Sequence, residues 1–255
     1  MCRRRGETPS GIDTMIDLSL VLFRFFLIPL PLGVILWLLA QGAQVPSGPA
    51  LLGFFGLWWL DFATLRWQSR FWYRRGQLRL ALAGWMVRLL VAPSRAGRTT
   101  LAAEAAWILL DLEQDAQAAT LLARHGTGSV EKDPLYAVSL ARLLLHQKAR
   151  PLLAMDLADL ALGERSLARA HFVRGLCYEA LEETRPALRA FSVARQRASI
   201  EEDAVLSGFC YYHLGLTWAH LGERDYARDH FLRAEIMLFF LPRIARQARA
   251  LLVQG

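Results

Sequence analysis

The 255-residue sequence predicts an all-α chain: an N-terminal transmembrane hairpin of two apolar helices, followed by an α-α solenoid of paired helices. Three observations predict it. Two long apolar runs lie close together before residue 67, and no stretch beyond residue 98 alternates like a half-buried strand. Two segments of the C-terminal half also align with each other residue by residue. Charge divides the chain in the same way. Residues 1–98 carry twelve Arg against four acids, +8, and residues 99–255 carry 18 basic against 19 acidic side chains, −1, out of a formal +7. The basicity thus belongs to the apolar portion, which argues against nucleic acid as partner and toward membrane topology. A hydrophobic content of 54% excludes disorder. Cys2, Cys177 and Cys210 are odd in number and scattered, so no disulfide framework is expected.

The first element is a membrane hairpin over 1–66, with helices at about 16–40 and 50–66. Leu18 to Ala40 is a run of 23 residues with one charge, Arg24, and about 20 apolar residues span a bilayer core. Pro29 and Pro31 kink it, which membrane helices tolerate. Arg3, Arg4 and Arg5 resemble the charged start of a signal peptide, yet the run is too long for one and a second apolar segment follows. That second segment, Ala50 to Leu65, is shorter and carries Asp61. Arg clusters precede the first helix and follow the second, so both ends are expected inside. The expected location is the inner (cell) membrane, multi-pass, with both termini cytoplasmic; a start at Met15 gives the same answer. Arg24 and Asp61 each fall roughly 7–9 Å inside the cytoplasmic surface, at 1.5 Å rise per residue, and are expected to pair. Snorkelling of Arg24, with Asp61 marking a re-entrant end, is the open alternative.

Residues 67–98 read as a basic amphipathic juxtamembrane helix. Trp67, Phe71, Leu78, Leu82, Trp85 and Leu89 share one face, and Arg66, Arg70, Arg74 and Arg88 share another. Such a helix lies in the membrane interface, with Arg66, Arg70, Arg74, Arg75 and Arg79 meeting anionic lipid headgroups. The same apolar face also fits packing against residues 99–130, and both readings stay open. Gly76 and Gly84 weaken one unbroken helix.

Residues 99–255 form the repeat domain. His171 to Leu181, followed by Ala187, Phe191 and Ala194, matches Tyr211 to Leu221, followed by Ala227, Phe231 and Ala234. In both, Gly-x-x-aromatic (Gly175 to Tyr178, Gly215 to Trp218) is followed twelve residues after the Gly by Ala-x-x-x-Phe-x-x-Ala. Gly222-Glu-Arg-Asp supplies a tight turn in the second segment, while Glu182-Glu183 matches it less well. The two glycines are 40 apart, and the excess falls in Arg195 to Ser207, where Ser199 and Glu202 have capping-box spacing. A degenerate unit precedes them, with Ala141 in place of Gly, Asp133 as cap, Pro134 in the first turn and Pro151 starting a second helix. Leu101 to Leu112 and Asp115 to Arg124 form a further helix pair, and Leu241 to Val253 a capping helix.

This pattern resembles the tetratricopeptide repeat (TPR) family, whose unit is a helix–turn–helix of about 34 residues. The resemblance covers about residues 99–253, strongly for two units and weakly for the others. It implies a protein-interaction scaffold with a concave groove lined by the first helix of each unit. The groove residues it implies are Arg142, Leu145 and His146, then Arg169, Phe172, Leu176 and Glu179, then Phe209, Tyr212, Leu216 and His220. They are mostly apolar, without the Lys and Asn cluster that some members use for acidic chain ends. A peptide or amphipathic helix of a protein partner is therefore the expected ligand. Packing of these same residues inside a small, tight solenoid is the competing account.

Motifs of zinc proteases, serine hydrolases and P-loop enzymes are absent from the sequence. Gly126-Thr-Gly128 is half a dinucleotide fingerprint without a preceding strand. Repeat phase scatters His171, Cys177, Cys210 and His213 around their helices, so no metal site is expected. Neither a catalytic residue, a cofactor nor a small-molecule substrate is expected. The reading is a membrane-anchored TPR adaptor or scaffold that binds a protein partner at the cytoplasmic face of the inner membrane. A structural accessory subunit, contacting a larger membrane complex through the hairpin, is the alternative.

Overall fold

Ala- and Leu-rich segments separated by capped turns fold into a stack of helical hairpins. The computed structural model describes residues 67–254, apart from 93, 127–129, 131, 132, 149, 165 and 166. Residues 67–74 are helical and lead into α1 (Leu78–Val91). Four pairs follow: α2 (Arg95–Asp111) with α3 (Asp115–His125), α4 (Pro134–His146) with α5 (Pro151–Glu164), α6 (Ala168–Ala180) with α7 (Thr184–Ile200), and α8 (Ala204–His220) with α9 (Arg224–Met237). The last described helix, α10 (Pro242–Gln254), packs on α9 where a capping helix is expected. Helix α2 touches α4, α4 touches α6 and α6 touches α8, which sets the first helices of the pairs along one side. The described chain is thus an all-helical, TPR-like solenoid.

The helix starts are written locally. Ser94 caps α2 by accepting from Gly97 N–H, and Asp133 caps α4 by accepting from the N–H groups of Leu135 and Tyr136, with Pro134 in the first turn. The helix ends share one device. Glu113, Lys148, Glu182, Glu202 and Gly222 each take positive φ directly after a helix end. At Glu182, its N–H donates to Glu179 O and Glu183 N–H donates to Tyr178 O at 2.8 Å, the paired bonds of a Schellman motif. The same bonds recur around Glu113, Glu202 and Gly222.

Packing between paired helices depends on the glycines of the repeat pattern. A Cβ on Gly175 would lie 2.5 Å from the Phe191 ring, and one on Gly215 would lie 2.6 Å from the Phe231 ring. Each glycine therefore seats the phenylalanine of its own unit, and buried Ala187 and Ala227 keep the pair close. Phe191 also reaches the next unit, stacking on His213 at 5.1 Å.

Three expectations are revised. The capping box of Ser199 and Glu202 does not form, because α7 continues through Ile200 and Asp203 caps α8, accepting from Leu206 N–H at 2.9 Å. The extra residues between Gly175 and Gly215 lengthen α7 rather than restart a helix. Residues 67–98 are not one helix apart from the repeats, and their apolar face takes the packing reading. The chain breaks at Gly76 (φ +75°), and Tyr73, Leu78, Ala81, Trp85 and Leu89 are buried in the main core. Residues 68–255 accordingly form one compact unit. Arg74 bonds the Glu202 carboxylate and the Glu201 carbonyl, Arg75 lies over the Phe71 ring, and Arg70 and Arg79 are exposed.

The third revision concerns location. Among the described residues no helix is long and apolar enough to cross a membrane, which corrects the expected multi-pass inner-membrane placement with cytoplasmic termini. In α1, part of the segment expected to meet the bilayer surface, Leu78, Ala81, Trp85 and Leu89 are spent on the protein core, while Met86 and Leu90 stay exposed. The hairpin segments at 16–40 and 50–66, the Arg24–Asp61 pair and Arg66 lie outside the described residues.

Candidate functional site

The first helices of the pairs enclose a concavity of about 380 Å³, with α10 on its far side. Phe172 forms its floor and is 1% exposed. Its ring lies 6.3 Å from Phe209, 5.7 Å from Phe191 and 5.5 Å from His213. Leu110, Leu145, Leu176, Tyr212 and Ile244 add apolar wall. The polar groups are Asp111, Glu113, Arg142, His146, Glu179, His213 and Gln247. Apolar floor with a few fixed polar groups is the composition of a binding site.

Behind the floor, the charges are paired. Arg142 bonds Asp111 at 2.7 Å, both side chains almost wholly buried, and its guanidinium lies 4.3 Å from the Trp107 ring centroid. Tyr73 donates to the other Asp111 oxygen at 3.0 Å and accepts from Trp107 Nε1 at 3.1 Å. Arg169 bonds Glu104 at 2.7 Å. Burial raises the Tyr73 phenol well above its ordinary value, aided by the Asp111 charge. This network holds Arg142 rigidly at the back of the cavity, so its charge is largely cancelled there.

Nearer the mouth, His213 Nδ1 bonds Glu179 at 2.8 Å. Burial works to raise the Glu179 carboxyl, but the His213 charge and hydrogen bond hold it below its ordinary range. His146 Nδ1 bonds Asp115 at 3.2 Å, and burial together with the Arg142 charge lowers its imidazole.

Of the groove residues inferred from repeat phase, Arg142, Leu145, His146, Phe172, Leu176, Glu179, Phe209 and Tyr212 line this cavity. Arg169 faces Glu104 and Tyr73 instead, Leu216 packs in the cluster of Ala227 and Phe231, and His220 ends α8 at the surface. Leu110, Asp111, Glu113, His213, Ile244 and Gln247 were not inferred. The α2–α3 pair lacks signature residues that would have set its phase, and the approach of α10 depends on the curvature of the whole stack. His213 has the one local signal, two positions before Gly215.

Among the described residues no group of three or more His, Cys, Asp or Glu side chains could hold a metal ion. Cys177 and Cys210 are buried free thiols, and burial pushes Cys177 up to about 12.

No family model matches the chain, and no curated protein matches it. Solved structures to which the chain is similar include "MamA RS-1 ArsTM double mutant", 18% identical over 69% of this chain and 93% of that one, TM-score 0.39. Another, "MamA 41-end from Desulfovibrio magneticus RS-1", is 18% identical over 69% and 94%, TM-score 0.40. A third, "MamA MSR-1 C2", is 14% identical over 70% and 97%, TM-score 0.38. Superposition this loose leaves the repeat assignment to the chain's own helix pairs, turns and Gly–Phe contacts.

Proposed function

We propose that this protein is a non-enzymatic, TPR-like scaffold that holds a peptide or helix of a protein partner in its concave site. The observation that carries the reading is convergence. Side chains from α2, α4, α6 and α8, spread over about 100 residues of chain, turn one mostly apolar surface into a common cavity. Phe172 and Phe209 are too buried to be contacts and serve as floor, whereas Leu145, Leu176 and Tyr212 are half-buried and available. Glu179 and His146 supply polar contacts that orient a ligand.

Site-specific photocrosslinking tests it. A benzophenone side chain at Tyr212 is expected to capture a discrete protein in the native cell, while the same group at exposed Leu152 on α5 captures none of it. Capture of the same species from both positions, or of nothing at Tyr212, would overturn the assignment.

A further inference from the structure

The mouth of the concave site is held by the chain's own C-terminal helix. Ala248, Leu251 and Leu252 of α10 pack with Ala227, Phe231 and Ala234 of α9. Ile244, one turn earlier, packs instead against the main core and lines the cavity with Gln247. Its neighbour Arg243 pairs with Glu113, which sits on the α2–α3 turn at the opposite rim. Helix α10 therefore has one half docked as a cap and its first turn laid across the groove.

The two halves are held differently. The cap half is buried apolar contact. The first turn adds one aliphatic side chain, Ile244, to Phe240 and Leu241, which enter the main core just before it. It also adds an ion pair whose side chains are 66% and 46% exposed, and exposed pairs hold weakly. Beneath the turn lies the cavity of about 380 Å³. What sits there has a definite chemistry. Ile244, Ala248, Leu251 and Leu252 share one face, and Arg243, Arg246 and Arg249 share another: α10 is a basic amphipathic helix. The site meets it at one acid. The Arg142 charge is spent on Asp111 and Glu179 is paired with His213, which leaves Glu113 as the rim acid that takes Arg243.

We propose that the concave site takes a basic amphipathic helix of a partner protein, which enters by displacing the first turn of α10. The proposal rests on the scaffold reading above and adds the partner's chemistry and a competitor in the same chain. The incoming helix sets an aliphatic side chain where Ile244 lies and an Arg or Lys on Glu113. The cap half of α10 stays on α9, so displacement leaves the solenoid intact.

The test uses the full chain and a fluorescein-labelled peptide of α10's own sequence, residues 241–254, as the incoming helix. Hydrogen exchange of residues 242–247 reports the first turn, and fluorescence anisotropy at low salt reports binding. Arg243→Glu is expected to speed exchange in 242–247 and to raise peptide affinity about three- to fivefold, the range an exposed ion pair commands. Adding Glu113→Arg restores the tie with reversed charge and is expected to undo both effects. Tyr212→Arg in the Arg243→Glu background is expected to weaken the peptide, since it removes apolar wall and adds a like charge. Unchanged exchange in Arg243→Glu, or faster exchange without a gain in affinity, overturns the competition. Peptide binding that Tyr212→Arg leaves untouched overturns the site. No binding by any variant overturns the ligand chemistry, while crosslinking at Tyr212 decides the scaffold reading separately.

Discussion

Three buried carboxylates share two guanidinium groups behind the concave site. Asp111 has Arg142, Glu104 has Arg169, and Asp203 caps α8 through a backbone N–H. Burial pushes the Asp203 carboxyl up to about 6, against the pull of Arg169 and the Leu206 amide, from an ordinary value of 3.8. A carboxyl whose folded value is raised binds more protons folded than unfolded. Its contribution to stability is therefore greatest below about 3.8 and is lost as pH rises through about 6. Asp203→Asn keeps the Oδ1 acceptor for Leu206 and cannot ionise. Urea denaturation should find the Asn variant the more stable at about pH 7.5, by on the order of 1–3 kcal/mol, with the difference shrinking toward about pH 4.5. A difference that stays constant with pH would mean that Asp203 ionises without penalty. This cap was illegible in the sequence, because Ser199 and Glu202 offer a matching capping box four residues earlier. Extension of α7 by another turn won over it.

Between elements, the turn geometry is more uniform than the turn sequences. Gly222 reads as a turn because glycine enters the left-handed region freely, and the structure gives it φ +80°. Glu182 occupies the matching place with φ +61°, held there by the bonds to Tyr178 and Glu179 carbonyls. The hairpin needs the conformation, and its hydrogen bonds impose it on glutamate at a cost of roughly 1–2 kcal/mol. Glu182→Gly should therefore raise stability by about 0.5–1 kcal/mol, once glycine's greater unfolded freedom is deducted. A shift of the urea midpoint at unchanged slope is the measurement, and a lower midpoint would show that the Glu182 side chain contributes more than its backbone costs. The same comparison explains what was legible at this scale. Gly175–Phe191 and Gly215–Phe231 were readable because a small and a large residue must recur together. The α2–α3 pair was readable only as two helices at hairpin spacing, since its Ala-rich interface leaves no comparable mark of phase.

At the scale of the molecule, the segment before α2 decides where the folding unit begins. An amphipathic helix presents the same periodicity whether its apolar face meets lipid or protein, so Leu78, Trp85 and Leu89 could not announce their partner. The structure gives it several. Tyr73 completes the hydrogen bonding of Asp111 and Trp107, the Arg74 side chain bridges to the α7–α8 turn, and the Phe240 ring covers Gly76 so closely that a Cβ there would sit 2.3 Å from it. One short segment is thus tied to the first pair, the α7–α8 turn and the approach to α10. Removing it exposes the faces against which Tyr73, Leu78, Trp85 and Leu89 are buried, at about 1.5–3 kcal/mol for each large side chain. The sum, roughly 6–12 kcal/mol, is comparable to the whole stability of a typical domain, about 5–15 kcal/mol. A fragment of residues 68–255 should unfold in urea in one cooperative transition. A fragment of residues 94–255, which retains the Ser94 cap, should show none, because Asp111 and Arg142 lose Tyr73 and the α2 face opens to water. Equal midpoints for the two fragments would instead make 68–93 an appendage and place the start of the repeat domain near residue 99, where the charge of the sequence changes.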